Sequence, residues 1–129
     1  PNICMPKSKK ILAVVHDLFF VVKINDLAKR AGLEVELVKS EEDALAKTAE
    51  QQPLMVIVDL NNNSVDAIQL ITKLKKSAET KAVSVISFVS HVQGELKQQA
   101  QDAGANMVLA RSAFSTNLPQ ILRRHSGSM

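Results

Sequence analysis

The stretch Pro53-Leu54-Met55-Val56-Ile57-Val58-Asp59-Leu60 decides the fold. Its five consecutive apolar residues, from Leu54 to Val58, lie between a proline and a lone carboxylate. A run without polar alternation suits a strand covered on both faces, and such strands belong to parallel sheets sandwiched between helices. In open sheets of that kind ligands sit just beyond the carboxyl ends of the strands, which is where Asp59 falls.

Outward from this strand the pattern repeats. A strand is expected over residues 10–15, where Ile11 to Val15 form a second continuous apolar run, stopped by His16-Asp17. Phe20, Ile24, Leu27 and Ala31 recur at helical spacing, and Gly32 is the expected left-handed stop. Residues 34–38 alternate charged and apolar, as an edge strand with one wetted face does. Ser40 before Glu41, Glu42 and Asp43 supplies an N-cap hydroxyl and first-turn acids, so a second helix begins there. After the central strand a polar turn at 61–64, with Ser64 as its cap, leads into a helix marked by Val65, Ile68, Ile71 and Leu74. Residues 75–81 read as a solvated connection. Strands are expected at 83–89 and 107–110, with a helix over 94–103 between them. A last helix starts near Ser115, takes Pro119 in its first turn, and ends in Arg123-Arg124-His125.

Five strands alternating with five helices predict a three-layer, doubly wound α/β sandwich with a parallel five-stranded sheet. Right-handed crossovers leave few strand orders. In the order 2-1-3-4-5 strands one and three are neighbours, so His16, Asp17 and Asp59 meet at one edge of the sheet. The expected domain covers residues 9–122, between tails at 1–8 and 123–129.

Composition narrows the function. With 129 residues, 46% hydrophobic and 22% charged, there is room for one globular core and not for two. The single cysteine, Cys4, excludes an internal disulfide and points to a reducing, cytoplasmic setting. No apolar stretch approaches the roughly 18–20 residues of a membrane span. The net charge of +3 admits acidic partners, but without Tyr or Trp there is no stacking surface for nucleic acid. No helix-turn-helix segment is left over for direct DNA binding. A nucleotide binder using the same crevice would lack a Gly-rich phosphate loop.

The ordered set Ile11 to Asp17, Ala31-Gly32-Leu33-Glu34-Val35, Ser40-Glu41-Glu42-Asp43-Ala44-Leu45, Val58-Asp59-Leu60 and Ala103-Gly104-Ala105 resembles the receiver domain of bacterial two-component response regulators, a flavodoxin-like fold. The resemblance implies that Asp59 is the phosphoacceptor, taking a phosphoryl group from a histidine kinase or phosphotransfer protein. It also implies Mg²⁺ held by Asp17, Asp59 and the backbone carbonyl of Asn61, a set of hard oxygen donors. A domain of this type is a signalling module, at most a catalyst of its own phosphorylation, and works as a monomer or weak dimer. Its partner is a kinase, phosphotransfer protein or effector domain, with no membrane involved.

Other positions depart from the family pattern. His16 replaces the first acid of the strand-one turn, which weakens metal binding. Val89 falls where a Ser or Thr hydroxyl is usual, with Ser90 next to it on the opposite side of the strand. Arg111 replaces the family lysine and Ser112 the following proline; a planar guanidinium is not a compact ammonium at a crowded phosphate. Val108 takes the place of the switch aromatic. These departures together favour a pseudo-receiver that binds partners through its fourth helix, fifth strand and fifth helix, using Lys97, Gln98, Gln101, Val108 and Arg111. The alternative is a working phosphoacceptor. An Arg111 ion pair with Asp59 or Asp17 would lock the site without phosphate.

Overall fold

A computed structural model describes residues 9–62, 65–89 and 94–125. The elements are β1 (Lys10–Val14), α1 (Leu18–Arg30), β2 (Glu34–Leu37), α2 (Glu41–Gln51), β3 (Met55–Asp59), α3 (Ala67–Lys76), β4 (Ser84–Val89), α4 (Gly94–Ala103), β5 (Met107–Ala110) and α5 (Arg111–His125). All pairings are parallel and the strand order is β2-β1-β3-β4-β5. This is the flavodoxin-like receiver topology that the run at 53–60 predicts. Every residue of β3 is buried, as a central strand with helices on both faces requires.

Alternation along the strands sorts the core into two layers. Val56, Val58, Val85 and Val108 face Ala44, Leu70, Ile71, Leu74 and Ala100, which belong to α2, α3 and α4. Met55, Ile57, Ile86 and Phe88 face Phe20, Ile24, Phe114 and Leu118, which belong to α1 and α5. Three of the four phenylalanines gather in that second layer. Phe88 stacks on Phe114 with centroids 5.1 Å apart, and Phe20 leans on Phe88 at 4.7 Å. Aromatic pairs at such distances add to plain burial, by about 0.5–1.5 kcal/mol each.

Several local expectations need correction. α5 starts at Arg111, four residues before Ser115, and ends at His125, within the Arg123-Arg124-His125 stretch expected to close it. Pro119 therefore lies inside the helix and not in its first turn. The cap of α3 is Asp66, whose carboxylate accepts from the Gln69 N–H; Ser64 lies outside the described residues. The connection after α3 is less solvated than its lysines suggest. Lys75 is still helical and half-buried, donating to the carbonyls of Lys81 and Val83, and Thr80 is buried with its hydroxyl on the Leu74 carbonyl. Gly104 ends α4 at φ +109°, where a Cβ would come within 2.9 Å of Lys75 Cγ. The tails at 1–8 and 126–129, Cys4 and Ser90 also lie outside the described residues.

Candidate functional site

The register of β1 and β3 pairs Val14 with Val58, so the residues that follow β1 lie beside the end of β3. Asp59 is the last residue of β3 and is only 6% exposed. One carboxylate oxygen accepts the Asn61 backbone N–H at 2.9 Å. Burial pushes the Asp59 carboxyl above the usual carboxylate range, ahead of the opposing pull of that N–H and of Arg111. The turn after Asp59 closes through Asn62 N–H onto the Asp59 carbonyl at 3.1 Å. Asn61, the expected source of a metal-binding carbonyl, is thus placed by its N–H on Asp59.

Asp17 follows β1 and caps α1. Its Oδ1 accepts the N–H groups of Phe19 at 3.0 Å and Phe20 at 3.4 Å. Its Oδ2 is taken by the Arg111 guanidinium in an ion pair. That bond, more than any other influence, holds the Asp17 carboxyl below its usual range. Arg111 opens α5, and its guanidinium carbon stands 4.6 Å from the centroid of Phe20, beneath which Phe88 and Phe114 are packed. The arginine is therefore fixed from two sides, by charge and by an aromatic face. Of the two ion pairs that the sequence left open for Arg111, the one formed is with Asp17.

The remaining positions are apolar where the chemistry would want polar groups. Val89 is buried and paired with Ala110, and Val108 is buried and paired with Ser87. Val108 was expected to lend an aliphatic surface; buried, it adds no exposed area. Ser87 is fully buried and its hydroxyl has no hydrogen-bond partner among the described residues. It lies in the register between Val58 and Val108, two residues short of the strand end. His16 is exposed at the lip of the crevice. Lys97, Gln98 and Gln101 are exposed on α4, and Gln98 bonds Asp102 at 2.9 Å.

A divalent cation at Asp17 would have to displace Arg111. One oxygen of Asp17 is committed to two backbone N–H groups and the other to a guanidinium, which brings the positive charge a metal would bring. Among the described residues no group of three His, Cys, Asp or Glu side chains is placed to hold a metal ion.

Two features escaped the sequence reading. Phe20 was counted as a core residue and not as the shelf under Arg111. Phe19, 88% exposed, stands out of the same helix beside Leu18 and Val22, themselves 65% and 66% exposed. The helix phase set by Phe20, Ile24 and Ala28 carries that signal, since it turns positions 19 and 22 to water.

A parallel doubly wound sheet with aspartates following its two neighbouring central strands defines a class of α/β proteins built around an acidic crevice. Within that class, the model of the response regulator receiver domain matches residues 11–123, and the chain belongs to that family. Receiver domains are signalling modules of two-component systems. Solved structures agree on the fold. The chemotaxis response regulator CheY4 of Vibrio cholerae shares 22% identity with a TM-score of 0.77, over 92% of this chain and 98% of that one. The receiver domain of sensor histidine kinase PA1611 from Pseudomonas aeruginosa PAO1, with magnesium coordinated in its active site cleft, shares 22% at a TM-score of 0.78, over 94% and 99%. A signal receiver domain from Bermanella marisrubri shares 25% at 0.77, over 92% and 98%. Among curated proteins no sequence match was found. Among the described residues no helix is long and apolar enough to cross a membrane.

Proposed function

We propose that the chain is a receiver-like signalling module of the cytoplasm that acts chiefly by contact with another protein, with phosphoacceptor chemistry at Asp59 held off by Arg111. The observation that carries this reading is the Arg111–Asp17 ion pair. It places an internal cation on the carboxylate that a metal ion would use, and the Phe20 ring beneath keeps it there. Buried Val89 and Val108 support the same reading, because those two positions then supply neither the hydroxyl nor the aromatic of the family switch. The partner is a histidine kinase, phosphotransfer protein or effector domain, contacted through the exposed polar face of α4 at Lys97, Gln98 and Gln101, with Arg111 at its rim.

A second reading keeps Asp59 as a working phosphoacceptor with Mg²⁺ on Asp17, Asp59 and the Asn61 carbonyl. The convergence of those residues at the ends of β1 and β3 favours it. A titration with Mg²⁺ and beryllofluoride, followed by amide chemical shifts, separates the two. The wild-type chain is expected to give no saturable response, and Arg111→Ala to gain Mg²⁺ binding by freeing Asp17. Saturable, Mg²⁺-dependent beryllofluoride binding by the wild type that disappears in Asp59→Asn would establish the second reading and remove the first.

A further inference from the structure

Beside the acidic crevice, past the carboxyl ends of β1 and β2, lies a cleft of about 330 Å³. Pockets that hold small molecules range over about 300–1,000 Å³, and the ends of parallel strands are where open α/β sheets place ligands. Its floor is apolar, made by Val15 and Val38, and Leu18 and Leu37 form its walls. Lys39, an exposed residue, also lines it.

Lys39 makes no hydrogen bond or ion pair among the described residues. Of the acids near it in sequence, Glu36 is committed to Lys10 and Lys47 and Glu41 to Lys73, while Glu42 and Asp43, exposed in the first turn of α2, form no ion pair with it. The cleft therefore joins an apolar interior to a positive charge that is held in no ion pair among the described residues. We infer that it binds a small amphipathic carboxylate, with an acyl or aryl body against Val15, Leu18, Leu37 and Val38 and its carboxylate on Lys39. A phosphorylated ligand is a poorer match, since its dianion calls for several donors or a glycine-rich cradle. Covering Leu18, at 65% exposure, supplies the driving force.

The same cleft is walled by His16, which follows β1, and by Asn62, whose backbone N–H bonds the Asp59 carbonyl. A ligand there touches the frame of the phosphoacceptor position without entering the crevice. The inference goes beyond the signalling reading and does not rest on the Arg111 pair.

The test titrates the whole chain with octanoate and, in parallel, with 1-octanol, following methyl and amide resonances. Octanoate is expected to produce saturable shifts in the Leu18, Leu37 and Val38 methyls and in the Asp59 amide. Lys39→Met should weaken octanoate about tenfold, the equivalent of about 1.4 kcal/mol for the charge-assisted bond, and leave 1-octanol unchanged. Leu18→Gln changes an exposed side chain, so the fold survives, and should weaken both ligands. Absence of saturable shifts, or equal loss of octanoate and 1-octanol in Lys39→Met, would overturn the inference. Shifts confined to Phe19 and Val22, which lie outside the cleft, would also overturn it and mark a protein-binding face instead. Neither Lys39 nor Leu18 enters the Mg²⁺ and beryllofluoride titration, so failure here leaves that result standing.

Discussion

Asp17 and Asp59 follow neighbouring strands and are the same residue type, yet their carboxyl groups are shifted in opposite directions. Asp17 sits at a helix start, where two N–H groups and a guanidinium converge on it. Asp59 ends a strand that is buried throughout, so loss of water outweighs the N–H that reaches it. The difference shows where the compensating charge of the site has gone. A phosphoacceptor crevice works when its positive charge is shared across the reacting oxygens. Here the Arg111 guanidinium is bound to Asp17 and acts on Asp59 only at longer range.

The largest expected effect of breaking this comparison is at Asp17. Asp17→Ala removes the cap of α1 together with the partner of Arg111, and should destabilise the fold by about 1–2 kcal/mol, as N-cap losses do. Asp17→Asn keeps a capping oxygen and removes the charge, so its cost should be clearly smaller. Urea unfolding of the two variants measures both. Equal losses in Ala and Asn would mean that the ion pair, and not the cap, is what Asp17 contributes.

The contrast also explains what could be read from sequence. The layers and strand order were legible because Ile11–Val15 and Leu54–Val58 are unbroken apolar runs, and only a two-sided burial calls for them. The helix starts were legible where a capping side chain stands alone, as Ser40 does, with its hydroxyl accepting the Asp43 N–H at 3.1 Å. The start of α3 was not, because Ser64 and Asp66 are both good caps two residues apart and only tertiary packing selects one. The start of α5 failed for another reason. Arg111 enters the helix directly from β5, a junction held by its side-chain contacts to Asp17 and Phe20, and those residues are about ninety positions away. The membership of the site was likewise legible, through strand ends. Its internal pairing was not, since Arg111 could reach either aspartate and the sequence carries no term for the Phe20 ring that decides between them.

A smaller effect, and a sharper one, comes from the pH dependence of two charge-removing variants. Asp17 has a lowered carboxyl in the fold, so its stabilising contribution is complete above the unfolded value of 3.8 and disappears as pH falls through the lower folded value. Asp59 has a raised carboxyl, so its ionised form destabilises the fold at neutral pH, and that penalty is relieved as pH falls through the raised folded value towards 3.8. Asp17→Asn should therefore be less stable than wild type at pH 7, with the gap closing below 3.8. Asp59→Asn should be as stable or more stable at pH 7, because its amide oxygen still accepts the Asn61 N–H, and its advantage should vanish at or above 3.8. Glu36, whose carboxyl lies at about 2 beside Lys47 and Lys10, contributes an acid transition common to all three proteins and cancels from the differences. Unfolding free energies measured from pH 7 to pH 3 thus give two curves of opposite sign in separate pH windows. Coincident curves would show that Asp59 is solvated like Asp17, and the asymmetry that sets these two carboxylates apart would be gone.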